Sequence, residues 1–162
     1  AVLFNAPNPV HTIFLRELQG AAAPAQAKIS PVAITVRTDL TKTFDDMVAR
    51  GVVGVLALPD DPMLTNRRRA VIEMASKHRM PSFFGMAEAV DEGGLMSYGE
   101  DFGKTYFHAA RYVDQVFKGA NPAELPVQQP TRFELVVNRK TARSLGLTLP
   151  RSILLRADRV VD

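Results

Sequence analysis

The stretch GGLMSYGEDFGKTYFHAARYVDQVFKGANPAELPVQQPTRFELVVNRKTARSLGLTLPRSILLRAD, residues 93–158, sets the order of elements in the carboxyl-terminal part of the chain. A glycine-edged short strand at 93–99 opens a long amphipathic helix at 100–118. A proline-rich connector at 120–130 leads to a strand at 132–138, and two short helical pieces follow. The pattern predicts a strand–helix–strand unit whose connector wraps the surface or crosses to another domain.

The first part of the chain alternates short apolar strands with amphipathic helices. Strands are predicted at 1–5, 31–36, 52–58, 81–85 and 95–98. Helices are predicted between them, at 9–18, 40–51 and 64–79. Strands that alternate with helices indicate βαβ units with right-handed crossovers. The predicted fold class is therefore α/β, with a doubly wound, mostly parallel sheet flanked by helices in one domain, residues 1–162.

Local signals predict several helix starts and faces. Asn8, which precedes Pro9, and Asp39 have side chains that cap helices. The tract Asp60–Pro62 is expected to break the third strand before a helix begins at Leu64. The residues predicted to face inward are Val10, Ile13, Phe14 and Leu18 on the first helix, and Val71, Ile72 and Ala75 on the third.

Composition narrows the class of protein. The chain has 162 residues, of which 46% are hydrophobic and 23% charged, and a formal net charge of +3. These values suit one globular domain, and a mild, dispersed positive charge does not predict a nucleic-acid partner. The run Arg67–Arg69 is interpreted as a solvated helix face, because consecutive helical residues point about 100° apart. The lack of cysteine excludes disulfides and thiolate metal sites, and no apolar run approaches the roughly 20 residues of a membrane helix.

Candidate ligand residues lie in the loops that follow the predicted strands. In an open parallel sheet, ligands bind at the carboxyl ends of the strands, where the next helices present their amino termini. These loops hold amides, carboxylates, a hydroxyl and aromatic rings, a set that suits a small zwitterion such as an amino acid. The candidate ligand-binding residues are Asn5, Asn8, Asp60, Asp61, Phe84, Gly85, Ser97 and Tyr98.

Most of these residues also have a structural interpretation. The two asparagines are typical of turns and caps, and the two aspartates suit a helix start, which favours negative charge. Phe84 fits the core equally well. Tyr98 is the strongest candidate, because it lies between the strand end and Gly99, where the backbone must turn.

The sequence carries no recognisable catalytic, metal or cofactor signature. His11, His78 and His108 lack the i, i+4 spacing of a helical metal pair. No serine stands in a nucleophile-elbow context, and neither a dinucleotide-binding glycine turn nor a phosphate-binding loop follows the first strand. The sequence therefore predicts no catalytic residues, no metal and no cofactor, and it favours a binding protein over an enzyme.

The order of motifs resembles one family of solute receptors. The segments AVLFNAPNP (1–9), VVGVLALPDDPMLTNRRRAVIEMASKHRMPSFFGMAEAVDEGGLMSYG (52–99) and PVQQPTRFELVVNRKTARSLGLTLPRSILLRAD (126–158) are similar to the substrate-binding proteins of ABC importers, in the tryptophan/tyrosine-type branch. In that family, two α/β lobes close on a small solute and present it to a membrane permease, in the periplasm or another extracytoplasmic space. The resemblance implies that this chain is the carboxyl-terminal lobe of a longer protein, cut at its amino terminus.

The same resemblance implies where the ligand would lie. Contacts from this lobe would come from Asn5, Asp60, Phe84 and Gly85, with Ser97 and Tyr98 near the hinge. The solute would be an aromatic amino acid or a related small organic acid or amide. Residues 126–130 would form a hinge strand that returns from the first lobe.

In the family fold, the segment at 94–130 would lie against the first lobe. Without that lobe, the stripe of Phe102, Tyr106 and Phe117 would be exposed, and an apolar face of that size rarely stays in water. The segment is therefore expected to pack on the missing lobe, to fold back on the remaining sheet, or to exchange with a second copy. Exchange would make a homodimer through residues 94–118.

Two other classes of protein share this architecture. A stand-alone flavodoxin-like or response-regulator-like signalling domain would use Asp60 or Asp61 as an acidic site at the end of the third strand. It would also need acidic residues after the first strand, where residues 5–8 hold none. A ligand-sensing domain of a transcription regulator has the same lobes, but the chain shows no DNA-binding module and its ending resembles the transport family.

Overall fold

The computed structural model describes residues 1–127 and 132–162. Within them, the strands are β1 (Val2–Phe4), β2 (Pro31–Ala33), β3 (Val55–Ala57), β4 (Ser82–Phe84), β5 (Met96–Glu100), β6 (Phe133–Asn138) and β7 (Arg159–Val161). The α-helices are α1 (Pro9–Ala22), α2 (Leu40–Ala49), α3 (Pro62–Lys77), α4 (Glu88–Asp91), α5 (Phe102–Phe117), α6 (Arg139–Ser144) and α7 (Arg151–Arg156). Strands and helices alternate from β1 to β6, as the sequence predicts, whereas α4 and β7 are additional to the predicted elements.

The strands of the described residues form one seven-stranded sheet in the order β2-β1-β3-β4-β5-β6-β7. Neighbouring strands are parallel, except β5 and β6, which pair antiparallel from Met96↔Val137 to Glu100↔Phe133. The exception arises because the chain leaves the sheet at the carboxyl end of β5, runs through α5 and returns to the sheet at that same end. Strand β6 therefore runs in the direction opposite to β5. The predicted α/β class with a mostly parallel sheet is confirmed.

The helices begin at the capping side chains that the sequence predicts, with one correction. Asn8 accepts a hydrogen bond from the Val10 N–H, and Asp39 accepts one from the Lys42 N–H. Helix α3 begins at Pro62 rather than at Leu64, with Asp61 as its cap. The earlier start is favourable because proline at the first helical position needs no hydrogen-bond partner for its nitrogen.

Helix α1 is rotated relative to the sequence prediction. Phe14 and Leu18 pack against the core as expected, but Val10 and Ile13 are 40% and 56% exposed. His11 is fully buried in their place. Hydrophobic periodicity counts histidine as a polar residue and so places it on the outward face. The prediction that Val10 and Ile13 face inward is therefore wrong.

The core lies between the sheet and helices α2 and α3. Fully buried side chains from three of these elements meet there, namely Leu3, Phe44, Met47 and Val71. The predicted inward face of the third helix, Val71, Ile72 and Ala75, is confirmed. This packing holds the carboxyl ends of β1, β3 and β4 together along one side of the sheet, which is called the edge below. The candidate residues lie at this edge.

Helix α5 has no buried residue. Tyr106 is 75% exposed and Phe117 is 87% exposed. Fold-back onto the chain's own sheet is therefore not present in this structure. The predicted hinge strand at 126–130 falls largely on residues outside the described part of the chain.

Replacing Gly99 with alanine is expected to destabilise the edge of the sheet. A Cβ atom at Gly99 would lie 1.8 Å from the Gly85 carbonyl oxygen, a backbone atom that cannot swing aside. We expect Gly99→Ala to lower the free energy of unfolding by at least about 1–3 kcal/mol in urea denaturation. Gly20→Ala is the matched control, because a Cβ at Gly20 in α1 meets nothing within 4 Å. The control should be neutral or stabilising by up to about 1 kcal/mol, and equal effects of the two changes would contradict the close approach.

Candidate functional site

The carboxylate of Asp61 joins the loops that follow β1 and β3. Its Oδ2 atom accepts hydrogen bonds from the side-chain amide nitrogens of Asn5, at 2.9 Å, and Asn8, at 3.0 Å. Its Oδ1 atom accepts a third bond from the Leu64 N–H at 3.0 Å and so caps α3. The structure therefore brings together three of the predicted site residues, and it uses Asp61 to order the other two.

The charge on Asp61 is stabilised by these same bonds. The side chain is buried, which by itself would raise the pKa of the carboxyl group. Hydrogen bonds from Asn5, Asn8 and the Leu64 N–H outweigh burial and hold the pKa of Asp61 below its usual range. The group is thus an ionised carboxylate at neutral pH, placed at the amino terminus of α3, where the helix dipole favours negative charge.

His11 makes a second connection between the same loops, and the sequence analysis missed it. Its Nδ1 atom accepts a hydrogen bond from the Asn5 backbone N–H at 2.9 Å. Its Nε2 atom lies 2.9 Å from the Pro59 carbonyl oxygen and therefore carries the ring proton that is donated there. The available sequence signal is that His11 lies three residues before Phe14, a spacing that places both side chains on one helical face.

Asp60 differs from Asp61 in both conformation and exposure. Its backbone φ is +61°, in the left-handed region that aspartate adopts more readily than most residues. The Asp60 carbonyl oxygen accepts a hydrogen bond from the Asn8 side chain at 3.2 Å, while its own side chain is exposed. Of the two predicted acidic residues, Asp60 is the one whose carboxylate faces solvent.

The remaining candidates divide into buried and exposed positions. Phe84 is 3% exposed and belongs to the core, and Ser97 is 1% exposed. Tyr98 is 54% exposed, and its ring stacks on Phe133 with centroids 5.6 Å apart and planes inclined by 25°. Tyr98 therefore offers an aromatic face at the edge, whereas Phe84 and Ser97 lie beneath it.

Hollows lie on either side of Gly85 at this edge. A small one, about 30 Å³, has Asp60, Arg68 and Phe102 among its lining residues. A larger one, about 420 Å³, is lined mainly by apolar groups from α1 and the strands, including Phe14, Phe83 and Tyr98. The edge thus combines polar backbone and side-chain groups with an aromatic recess.

The arginine run at the start of α3 is not simply solvated. Arg67 donates hydrogen bonds to the backbone carbonyls of Thr35 and, at 2.8 Å, Thr38, which fixes the loop after β2. Arg68 pairs with Glu92 at 2.6 Å, and the exposed Arg69 lies 3.2 Å from the same carboxylate. Hydrogen bonding from Arg68, followed by that from Arg69, lowers the pKa of Glu92 despite its burial. The interpretation as a solvated face is wrong for Arg67 and Arg68.

Two features are absent from the described residues. None of their helices combines the length and apolar character that crossing a bilayer requires. Residues 1–127 and 132–162 also bring no three His, Asp or Glu side chains together in a way that could hold a metal ion.

The fold and its edge define a lobe of the periplasmic-binding-protein type: an open α/β sheet with helix amino termini, capped polar loops and an aromatic recess at the carboxyl ends of its strands. A family model described as "ABC transporter substrate binding protein" matches residues 2–161. The chain belongs to this family.

Relatives of known structure show the same fold. The chain superimposes on an "ABC domain in complex with L-Trp" from Streptococcus pneumonia with a TM-score of 0.86 and 24% identity, covering 99% of this chain and 54% of that one. A conserved domain protein from Vibrio cholerae O1 biovar El Tor gives a TM-score of 0.85 and 24% identity, covering 98% and 53%. A ligand-free, open substrate-binding protein with adhesive properties from Clostridium difficile gives 0.69 and 16%, covering 99% and 53%.

A further relative matches most of this chain. A "Tyrosine-binding protein" from Clostridioides difficile (strain R20291) is 20% identical over 146 residues, which cover 90% of this chain and 42% of that protein. The chain thus spans about half the length of the proteins it matches.

Replacing Asp61 with asparagine is expected to remove part of the pH dependence of stability. Because the pKa of Asp61 is lower in the folded protein than in the unfolded chain, its contribution is complete above the unfolded value, near 4, and is lost as the pH falls through the folded value. Asp61→Asn should flatten this acid limb. It should also cost about 1–3 kcal/mol at pH 7, because it leaves buried amide donors without an acceptor.

Asp60→Asn is the control for this experiment, since it removes the same charge from an exposed neighbour. Denaturant unfolding between pH 7 and pH 3 measures both variants. An acid limb as steep in Asp61→Asn as in Asp60→Asn would show that the stability of the edge does not depend on the Asp61 carboxylate.

Proposed function

We propose that this chain is the carboxyl-terminal lobe of the substrate-binding component of an ABC importer, acting in the periplasm or another extracytoplasmic space. The observation that carries the proposal is the match of the family model to almost the whole chain, residues 2–161. The ordered polar edge beside an aromatic recess supports it, since a receptor needs such an edge in place before the solute arrives. The role is to bind a solute and deliver it to a permease, with no catalytic step.

The proposed solute is an amino acid with an aromatic side chain. Asp60 offers an exposed carboxylate for the ammonium group, and Tyr98, stacked on Phe133, offers an aromatic wall for the side chain. The names of two similar proteins, one tyrosine-binding and one in complex with L-Trp, favour the same class of solute.

The second half of the cleft would come from another lobe. The chain spans about half the length of its relatives, and α5 presents Tyr106 and Phe117 to solvent. We propose that α5 packs on that lobe in the longer protein, and that exchange with a second copy takes its place when the lobe is absent. A solute held from one side only keeps much of its surface in water, so residues 1–162 alone should bind weakly.

A phosphoacceptor domain is a poorer fit to the same edge. The aspartate at the end of β3 that is buried, Asp61, already accepts three hydrogen bonds. The exposed one, Asp60, faces a loop that contributes Asn5 and Asn8 rather than the carboxylates a bound magnesium ion would need.

Calorimetric titration of the longer protein with L-tryptophan and L-tyrosine tests the proposal. We expect binding, and we expect Tyr98→Ala to weaken it by about tenfold or more, because the aromatic wall is lost. Tyr98→Phe keeps the ring and should stay within about threefold of the wild type. Val53→Ala is a distant control, since Val53 is 85% exposed and precedes β3 at the opposite edge of the sheet.

Two results would count against the proposal. Failure of both amino acids to bind the longer protein would remove the aromatic solute class. Equal loss of affinity in Tyr98→Ala and Val53→Ala would remove Tyr98 from the site.

A further inference from the structure

We propose that His11 is a positioning residue that fixes the spacing of the two loops on which the candidate site is built. Its imidazole joins the backbone at the end of β1 to the backbone at the end of β3. The link to solute binding rests on the function proposed above, whereas the structural role of the imidazole does not. No direct contact between His11 and the solute is implied.

The two backbone groups that His11 joins lie just beyond the strand ladder. Pairing of β1 with β3 ends at Leu3↔Ala57, and the next bond between them runs from the Leu58 N–H to the Leu3 carbonyl at 3.1 Å. Asn5 and Pro59 follow directly, where the two loops diverge. The imidazole accepts a hydrogen bond from the Asn5 N–H and donates one to the Pro59 carbonyl. It therefore continues the connection between the two strands past their last backbone hydrogen bond.

The chemistry of this link requires one particular state of the ring. A backbone N–H that donates to Nδ1 needs an unprotonated nitrogen there, and the Pro59 carbonyl needs a proton on Nε2. The ring is therefore the neutral Nε2–H tautomer. An apolar side chain of similar size would pack against Phe14, whose ring lies 6.4 Å away, but it would leave the partly buried Asn5 N–H and Pro59 carbonyl without the partner that His11 supplies.

The Asp61 carboxylate and the His11 ring join the same loops through different groups. Asp61 holds the side chains of Asn5 and Asn8, whereas His11 holds the Asn5 backbone. Loss of His11 should therefore allow the Asn5 backbone and the amino terminus of α1 to move, while the packed core beneath them stays unchanged. Because the loop and the core should respond differently, the positioning role can be measured.

The first test uses nitrogen-detected NMR and amide exchange on residues 1–162. The wild-type His11 ring should show an unprotonated Nδ1 and a protonated Nε2. In His11→Leu, the Asn5 amide should exchange about tenfold faster or more, because it loses its acceptor, while the Leu3 amide stays within about threefold. His11→Gln offers an amide oxygen and an amide N–H and should restore part of the protection. Thr12→Ala, an exposed change on the same helix, should alter neither amide.

The second test measures the affinity of the longer protein for L-tryptophan. We expect His11→Leu to weaken binding by about tenfold and His11→Gln to recover most of that loss, with Thr12→Ala unchanged. If His11→Leu does not fold, the wild-type tautomer and the His11→Gln variant still decide the question.

The Nδ1–H tautomer, or an Asn5 amide that exchanges at the wild-type rate in His11→Leu, would overturn the proposal. If the wild-type protein does not bind L-tryptophan, the tautomer and exchange results still decide the structural role of His11, and only the proposed solute class fails.

Discussion

The polar edge that carries the candidate site depends on the three hydrogen bonds that the Asp61 carboxylate accepts. Burying a charge is costly, and here two side-chain amides, one backbone N–H and the amino terminus of α3 offset that cost. The same bonds draw the loop after β1 against the loop after β3. A residue that serves as a helix cap in its own segment thereby also orders the neighbouring loop, while the side chain of Asp60 beside it stays exposed.

Much of the fold follows from local patterns, because strand periodicity, caps and glycine ends involve neighbours in sequence. The alternation of strands and helices, and the caps at Asn8 and Asp39, are of this kind. Features that depend on residues distant in the sequence do not follow from local patterns. His11 faces inward because it hydrogen-bonds to Pro59, 48 residues away. Arg67 is partly buried because it hydrogen-bonds to Thr38, 29 residues away. The short β7 exists because β6 pairs with it.

The candidate site shows the same division. The sequence places the candidate residues at one edge of the sheet, because the carboxyl ends of parallel strands meet there. It cannot separate residues that face a solute from residues that hold the edge together. Asn5 and Asp61 lie within the internal hydrogen-bond network, Phe84 is core, and Tyr98 with Asp60 remain outward. The exposed face of α5 is the surface that the proposed function assigns to contact with a second lobe.

The central claim is that this edge is one wall of a solute cleft. Hydrogen-exchange mass spectrometry of the longer protein, with and without L-tryptophan, tests it most directly. The account predicts added protection in the loops at 5–8, 59–61 and 85–86 and at the end of β5, with little change at the opposite edge of the sheet around Val53. Protection confined to other surfaces, with these loops unchanged while the solute is bound, would contradict it.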